Sequence, residues 1–200
     1  MVAIAAGDET RVREALHDAP GLATVAIDKD PGGDPTPPVL QRIGCYCYRG
    51  DTALHVAASA HRPRIATLLL DLGADVSAHN RRGTTPLHCA AVGNPNNPRY
   101  DAGAQVETIR VLIAAGADPE VVTVDGVTPL HRAVRCRCSA AVATLLESGA
   151  SPVRPNGHGS SPLGLAHHTT GRGGSGTAVA KGEQAEIVRL LNAAISAAPM

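Results

Sequence analysis

Three sets of residues have the types and spacing to do chemistry. Thr169 to Thr177, TTGRGGSGT, sets Gly171, Gly173 and Gly176 in a G-x-G-x-x-G pattern around Arg172. Successive backbone N–H groups in such a loop can cradle a phosphate. Cys45 with Cys47, and Cys136 with Cys138, form two C-x-C pairs. Four thiolates could hold zinc, and a thiol pair could respond to oxidants. His55, His88 and His131 share a local context, while His167 and His168 adjoin the glycine loop. Imidazoles serve as metal ligands or proton carriers.

The chain around these residues decides between such roles. A dinucleotide fingerprint follows a strand, opens a helix and has an acidic residue about 20 positions on. TTGRGGSGT has none of that context, and it lacks the lysine of a P-loop. It reads as a surface loop. No carboxylate pair and no Ser/His/Asp set stands out, so the chain is not expected to be an enzyme or to need a cofactor.

Composition narrows the classes further. The 200 residues carry 18 Lys and Arg against 18 Asp and Glu, so the formal net charge is zero. With three tyrosines and no Phe or Trp, the chain has little to stack on bases. Nucleic acid is therefore not expected as a partner. No run approaches the roughly 20 apolar residues of a membrane span, and no signal peptide is read at the start. Five cysteines without a secretion signal read as reduced thiols in the cytoplasm. A core of Ala, Leu, Val and Ile suits thin helices stacked closely.

The elements follow from a repeat. DTALHVAA begins at Asp51, TTPLHCAA at Thr84, VTPLHRAV at Val127 and SSPLGLAH at Ser160. Thr52 and Thr85 are 33 residues apart, as are Thr128 and Ser161. Each hydroxyl is placed to cap a helix, and Pro86, Pro129 and Pro162 stand at the first helical position. A second apolar run follows: IATLLLDLGAD from Ile65, TIRVLIAAGAD from Thr108, AVATLLESGAS from Ala141 and EIVRLLNAA from Glu186. Gly73, Gly116 and Gly149 close the first three.

These motifs resemble the ankyrin repeat family, in the T-P-L-H-x-A run, the L-L-x-x-G-A-D run and the period of 33. The resemblance covers Cys47 to about Ile195. It implies an all-α solenoid of helix–turn–helix units with projecting turns. Residues 1–24 would form a partial capping unit, represented by the close of a repeat from Ala3 to Leu16. An irregular loop follows at 25–46. Full units are expected at 47–79, 80–122, 123–155 and 156–200. The second is interrupted by an insertion at 94–105 and the last by one at 170–184. The last unit departs from the pattern at Gly164, in the histidine position, and at Ile195, in that of the closing glycine. Both insertions leave the same edge, two units or roughly 20 Å apart at about 10 Å per stacked helix.

In this family the repeated histidine stiffens the turn, which gives His55, His88 and His131 a structural role. Two repeats also separate the C-x-C pairs, far beyond shared bonds of about 2.3 Å. A redox or metal-responsive module built on these pairs is one alternative function, and a nucleotide-binding enzyme built on residues 169–177 is another. The favoured function is non-catalytic protein binding through the concave face of turn tips and first helices. Arg49, Asp51, Arg81, Arg82, Thr84, Asp125, Arg132 and Arg135 are the expected contacts. Asp71, Glu107, Glu147 and Glu186 suggest a more acidic outer face. The expectation is a cytoplasmic monomer, acting as an adaptor, scaffold or inhibitor for a protein partner with an acidic surface.

Overall fold

A computed structural model describes residues 1–28, 47–168 and 177–197. Its helices are α1 (Val2–Ala6), α2 (Glu9–Asp18), α3 (Ala53–Ser59), α4 (Pro63–Asp71) and α5 (Pro86–Ala90). They continue with α6 (Ala102–Ala114), α7 (Pro129–Cys136), α8 (Ser139–Glu147), α9 (Pro162–His167) and α10 (Ala178–Ala197). A 3₁₀ turn spans Pro20–Ala23. The described residues form no strand beyond an isolated bridge between Ala26 and Thr52. Odd-numbered helices pack on one another as an inner layer, and even-numbered helices as an outer one. This is the expected all-α solenoid.

The repeat explains the layers. Leu54, Leu87 and Leu130, at one motif position, are completely buried, as are Ala57, Ala90 and Ala133. The alanines let the inner helices approach closely. Each outer helix sends down a pair at helical spacing: Ile65 and Leu69, Ile109 and Leu112, Ala141 and Leu145, Ile187 and Leu191.

Two expectations change. The N-terminal unit holds both helices of a pair, α1 and α2, rather than only the close of a repeat. Its Ile4, Ala5, Val12 and Leu16 join the common core. Both insertions also contain helix. Residues 102–105 extend α6 and 178–184 extend α10, so part of the added length becomes helix. Thr177 caps α10, its hydroxyl accepting the Ala180 N–H at 3.0 Å.

Candidate functional site

The turn tips are held by the repeated threonine and histidine. The Nδ1 of His55 accepts the Thr52 N–H at 3.1 Å, so the ring proton lies on Nε2, which donates to the Thr84 carbonyl at 3.0 Å. His88 accepts from Thr85 N–H at 3.2 Å and donates to Val127 O at 2.8 Å. His131 accepts from Thr128 N–H at 3.2 Å and donates to Ser160 O at 2.9 Å. Each imidazole thus ties its own helix start to the next turn. Burial pushes all three below the usual imidazole range, His88 to about 3, so they stay neutral. The last unit keeps the cap, with Gly164 N–H donating to Ser161 Oγ at 3.1 Å, but Gly164 has no ring to pass the link on.

Backbone bonds stack the same tips. Arg81 N–H donates to Arg49 O at 2.8 Å, Val124 N–H to Arg82 O at 3.1 Å and Gly157 N–H to Asp125 O at 2.8 Å. The approach is close enough that a Cβ on Gly126, whose φ is +68°, would meet Gly157 N at 2.7 Å. Side chains brace each turn from within. Asn80 Oδ1 accepts the Arg82 and Thr84 N–H groups, and Asn156 Oδ1 those of His158 and Ser160. Thr123 takes that role between them, its hydroxyl accepting the Val127 N–H at 3.2 Å. Sequence reasoning missed this position, although all three residues lie five places before a capping hydroxyl.

The expected contact residues divide into two groups. Arg49, Arg81, Arg82, Asp125 and Arg135 are exposed along the inner row, and Arg132 is half-buried below them. Asp51 and Thr84 are both only 4 % exposed, and this corrects their assignment as partner contacts. Asp51 accepts the Tyr48 N–H at 2.6 Å and the Asn80 side-chain amide at 2.9 Å, so its carboxylate is used in the turn scaffold. The Thr84 carbonyl receives His55, and its hydroxyl receives Arg132 Nη2 at 2.8 Å. Arg81 and Arg82 both lie over the Tyr48 ring, at 5.3 and 4.7 Å from its centroid. Cation–π attraction at that range restrains the long side chains.

Beneath the tips lies a cavity of about 360 Å³, bordered by Tyr48, Arg82, Cys89, Asp125, Arg132 and Arg135. Burial moves the Arg132 guanidinium below its ordinary range, partly offset by the neighbouring Cys89 and Cys136 thiols. The outer helices carry both signs of charge, with carboxylates in modest excess. Arg64, Arg110, Lys181 and Arg189 lie among their carboxylates, with Arg64 paired to Glu9 at 3.5 Å and Arg189 to Glu186 at 2.5 Å.

The other candidates are dispersed. Cys45 and residues 169–176 of the glycine loop lie outside the described residues. Cys138 is buried, and burial pushes its thiol up to about 12, so it stays protonated and is a poor metal ligand or nucleophile. Among the described residues, no group of three or more His, Cys, Asp or Glu could hold a metal ion, and no helix is long and apolar enough to cross a membrane.

The insertions do more than leave the same edge. Thr177 Oγ1 donates to Asn96 Oδ1 at 2.6 Å, so the two are in contact rather than two repeats apart. Tyr100 closes the first insertion by donating to Gln105 Oε1 at 2.5 Å, and Gln105 Nε2 donates to Ala90 O at 2.9 Å. Gly93 admits this cluster, since a Cβ there would lie 2.7 Å from the Tyr100 ring and 2.9 Å from Cys138 Sγ.

Paired helices, stacked turns and the Thr–His links define an ankyrin repeat array. The family described as "Ankyrin repeats (3 copies)" matches residues 1–102, and "Ankyrin repeat" matches 82–124 and 125–157. The chain belongs to the ankyrin repeat family. It is 38 % identical over 117 residues to mouse (Mus musculus) "Ankyrin repeat and SOCS box protein 16", covering 58 % of this chain and 25 % of that protein. It is also 38 % identical over 109 residues to human (Homo sapiens) "SH3 and multiple ankyrin repeat domains protein 2", covering 54 % of this chain and 5 % of the relative. A third similarity, 29 % identity over 191 residues, is to "Mitochondrial disaggregase" of Bos taurus, covering 70 % of this chain and 27 % of that one. The chain therefore spans about a quarter or less of the first two relatives.

Proposed function

We propose that the chain is a non-catalytic protein-interaction module, an adaptor, scaffold or inhibitor, that holds a protein partner with an acidic surface against its inner row of turn tips. In this reading it works as a cytoplasmic monomer. The observation that carries it is the row itself. Arg49, Arg81, Arg82 and Arg135 stand exposed on turns and short helices fixed by the histidine links, with Asp125 as the exposed acid among them. A surface ordered in advance loses little entropy when a partner docks. The Tyr48 stack adds to this by restraining Arg81 and Arg82.

Affinity capture with the intact chain and with an Arg81→Glu, Arg82→Glu variant tests the reading. The partner retained by the intact chain should bind the variant at least tenfold more weakly in a purified titration. Equal affinity for both forms would remove the inner arginines from the interface.

A further inference from the structure

The cavity below the tips has a chemistry of its own. Arg132 reaches it from α7, and Nη2 is fixed by the Thr84 hydroxyl at 2.8 Å. Its other guanidinium donors meet no acceptor among the described residues, and no described carboxylate lies within 4 Å of it. This guanidinium is half-buried and has no counter-charge beside it, and a planar two-oxygen acceptor is the group that matches its donor fork. The two acids on the cavity wall do not supply one. Asp51 is committed to Tyr48 and Asn80, and Asp125 is exposed at a turn tip. About 360 Å³ is within the range of pockets that enclose a small ligand, and here it suits a side chain with its flanking backbone. The same two acids weigh against a phosphate, because they repel a near-dianion more strongly than a single carboxylate.

We infer that this cavity is an anchor pocket for one Asp or Glu side chain of an extended peptide segment of the partner, with the Arg132 guanidinium as the receiving group. The inference rests on the inner-face reading above and makes it specific. Arg81, Arg82 and Arg135 attract and orient the segment, and Arg132 selects the residue that enters. Cys89 and Val92 border the space the side chain would fill.

The test is selection of a random 12-residue displayed peptide library on the immobilised full chain, followed by titration of the enriched peptides. The expected result is an Asp or Glu at one fixed position. Changing that residue to Asn or Gln should weaken binding to the intact chain at least tenfold. Arg132→Gln should cost the original peptide a similar factor and leave the amide peptide unaffected. Because the peptide-side change uses the unaltered protein, the test holds even if the Arg132 variant folds poorly. Peptides that bind the inner face, as judged by loss on the Arg81→Glu, Arg82→Glu variant, yet tolerate loss of every carboxylate would overturn the pocket and leave the interaction face standing. A marked preference for phosphoserine at the fixed position would overturn the carboxylate assignment. Failure to enrich any peptide sensitive to either set of arginines would overturn both readings.

Discussion

The row of turn tips and the edge that carries the insertions bury polar groups in opposite ways. Along the tips a single solution recurs: a capping threonine, an imidazole accepting at Nδ1 and donating at Nε2, and a carbonyl on the next turn. Along the edge every contact is used once. Tyr100 meets Gln105, Gln105 meets Ala90, His61 donates to Val92 O at 3.0 Å, and Asn96 meets Thr177. Repetition makes the tips a continuous strut, so damage at one link is felt by two turns. The edge is a set of local ties.

The largest effect should come from the middle of the strut. His88→Ala would strand the buried Thr85 N–H, at about 1–3 kcal/mol, and leave the Val127 carbonyl with only the Thr123 N–H. A stability loss of about 2–4 kcal/mol is expected in urea unfolding, with binding at the tips weakened in parallel. The same residue sets a pH response. Its folded pKa, about 3, lies below the unfolded value near 6.5, so the folded state binds fewer protons between them. The stability due to neutral His88 is therefore complete above about pH 6.5 and is lost as pH falls towards 3. The variant should show a shallower decline over that window. If it tracks the parent curve, the imidazole is not the titrating strut.

A smaller effect is expected on the edge. Tyr100→Phe removes the donor to Gln105 Oε1 while keeping the ring against His61, whose centroid lies 6.4 Å away. The cost should be about 1–2 kcal/mol. Amide hydrogen exchange should quicken around residues 93–105 and remain unchanged at the turn tips. Quickened exchange at the tips would merge the two regions into one cooperative unit. Smallest of all, Asn96→Ala breaks an exposed tie to Thr177 and should cost under about 1 kcal/mol, since water can replace the partner. A loss as large as that of Tyr100→Phe would show that the two insertions stabilise one another.

The same contrast governs what could be read from sequence. Thr52, Thr85 and Thr128, with their histidines, were legible because one residue type at one spacing does one job. The bracing position at Asn80, Thr123 and Asn156 was hidden because a change of residue type breaks the visible pattern while hydrogen bonding preserves the role. Asp51 and Thr84 look like surface residues in sequence because nothing local reveals that the next turn folds over them. The Arg132 cavity draws on three units at once, from Tyr48 to Cys136, so no single repeat displays it. The bond between Asn96 and Thr177 crosses 81 residues and obeys no period. Only half of the N-terminal pair shows in sequence, because Val2 to Gly7 lacks the capping hydroxyl and leucine that mark the other inner helices.

Gly164 gives the array a rule for growth. Each imidazole donates only forwards, so a unit is defined by what it offers its successor as much as by what it receives. A duplicate of 123–155 inserted behind the original would carry its own donor and find its own acceptor, lengthening the array without altering a side chain. A duplicate of the final unit would not, because glycine offers the newcomer nothing. Gene duplication can therefore add length within this array more readily than at that unit.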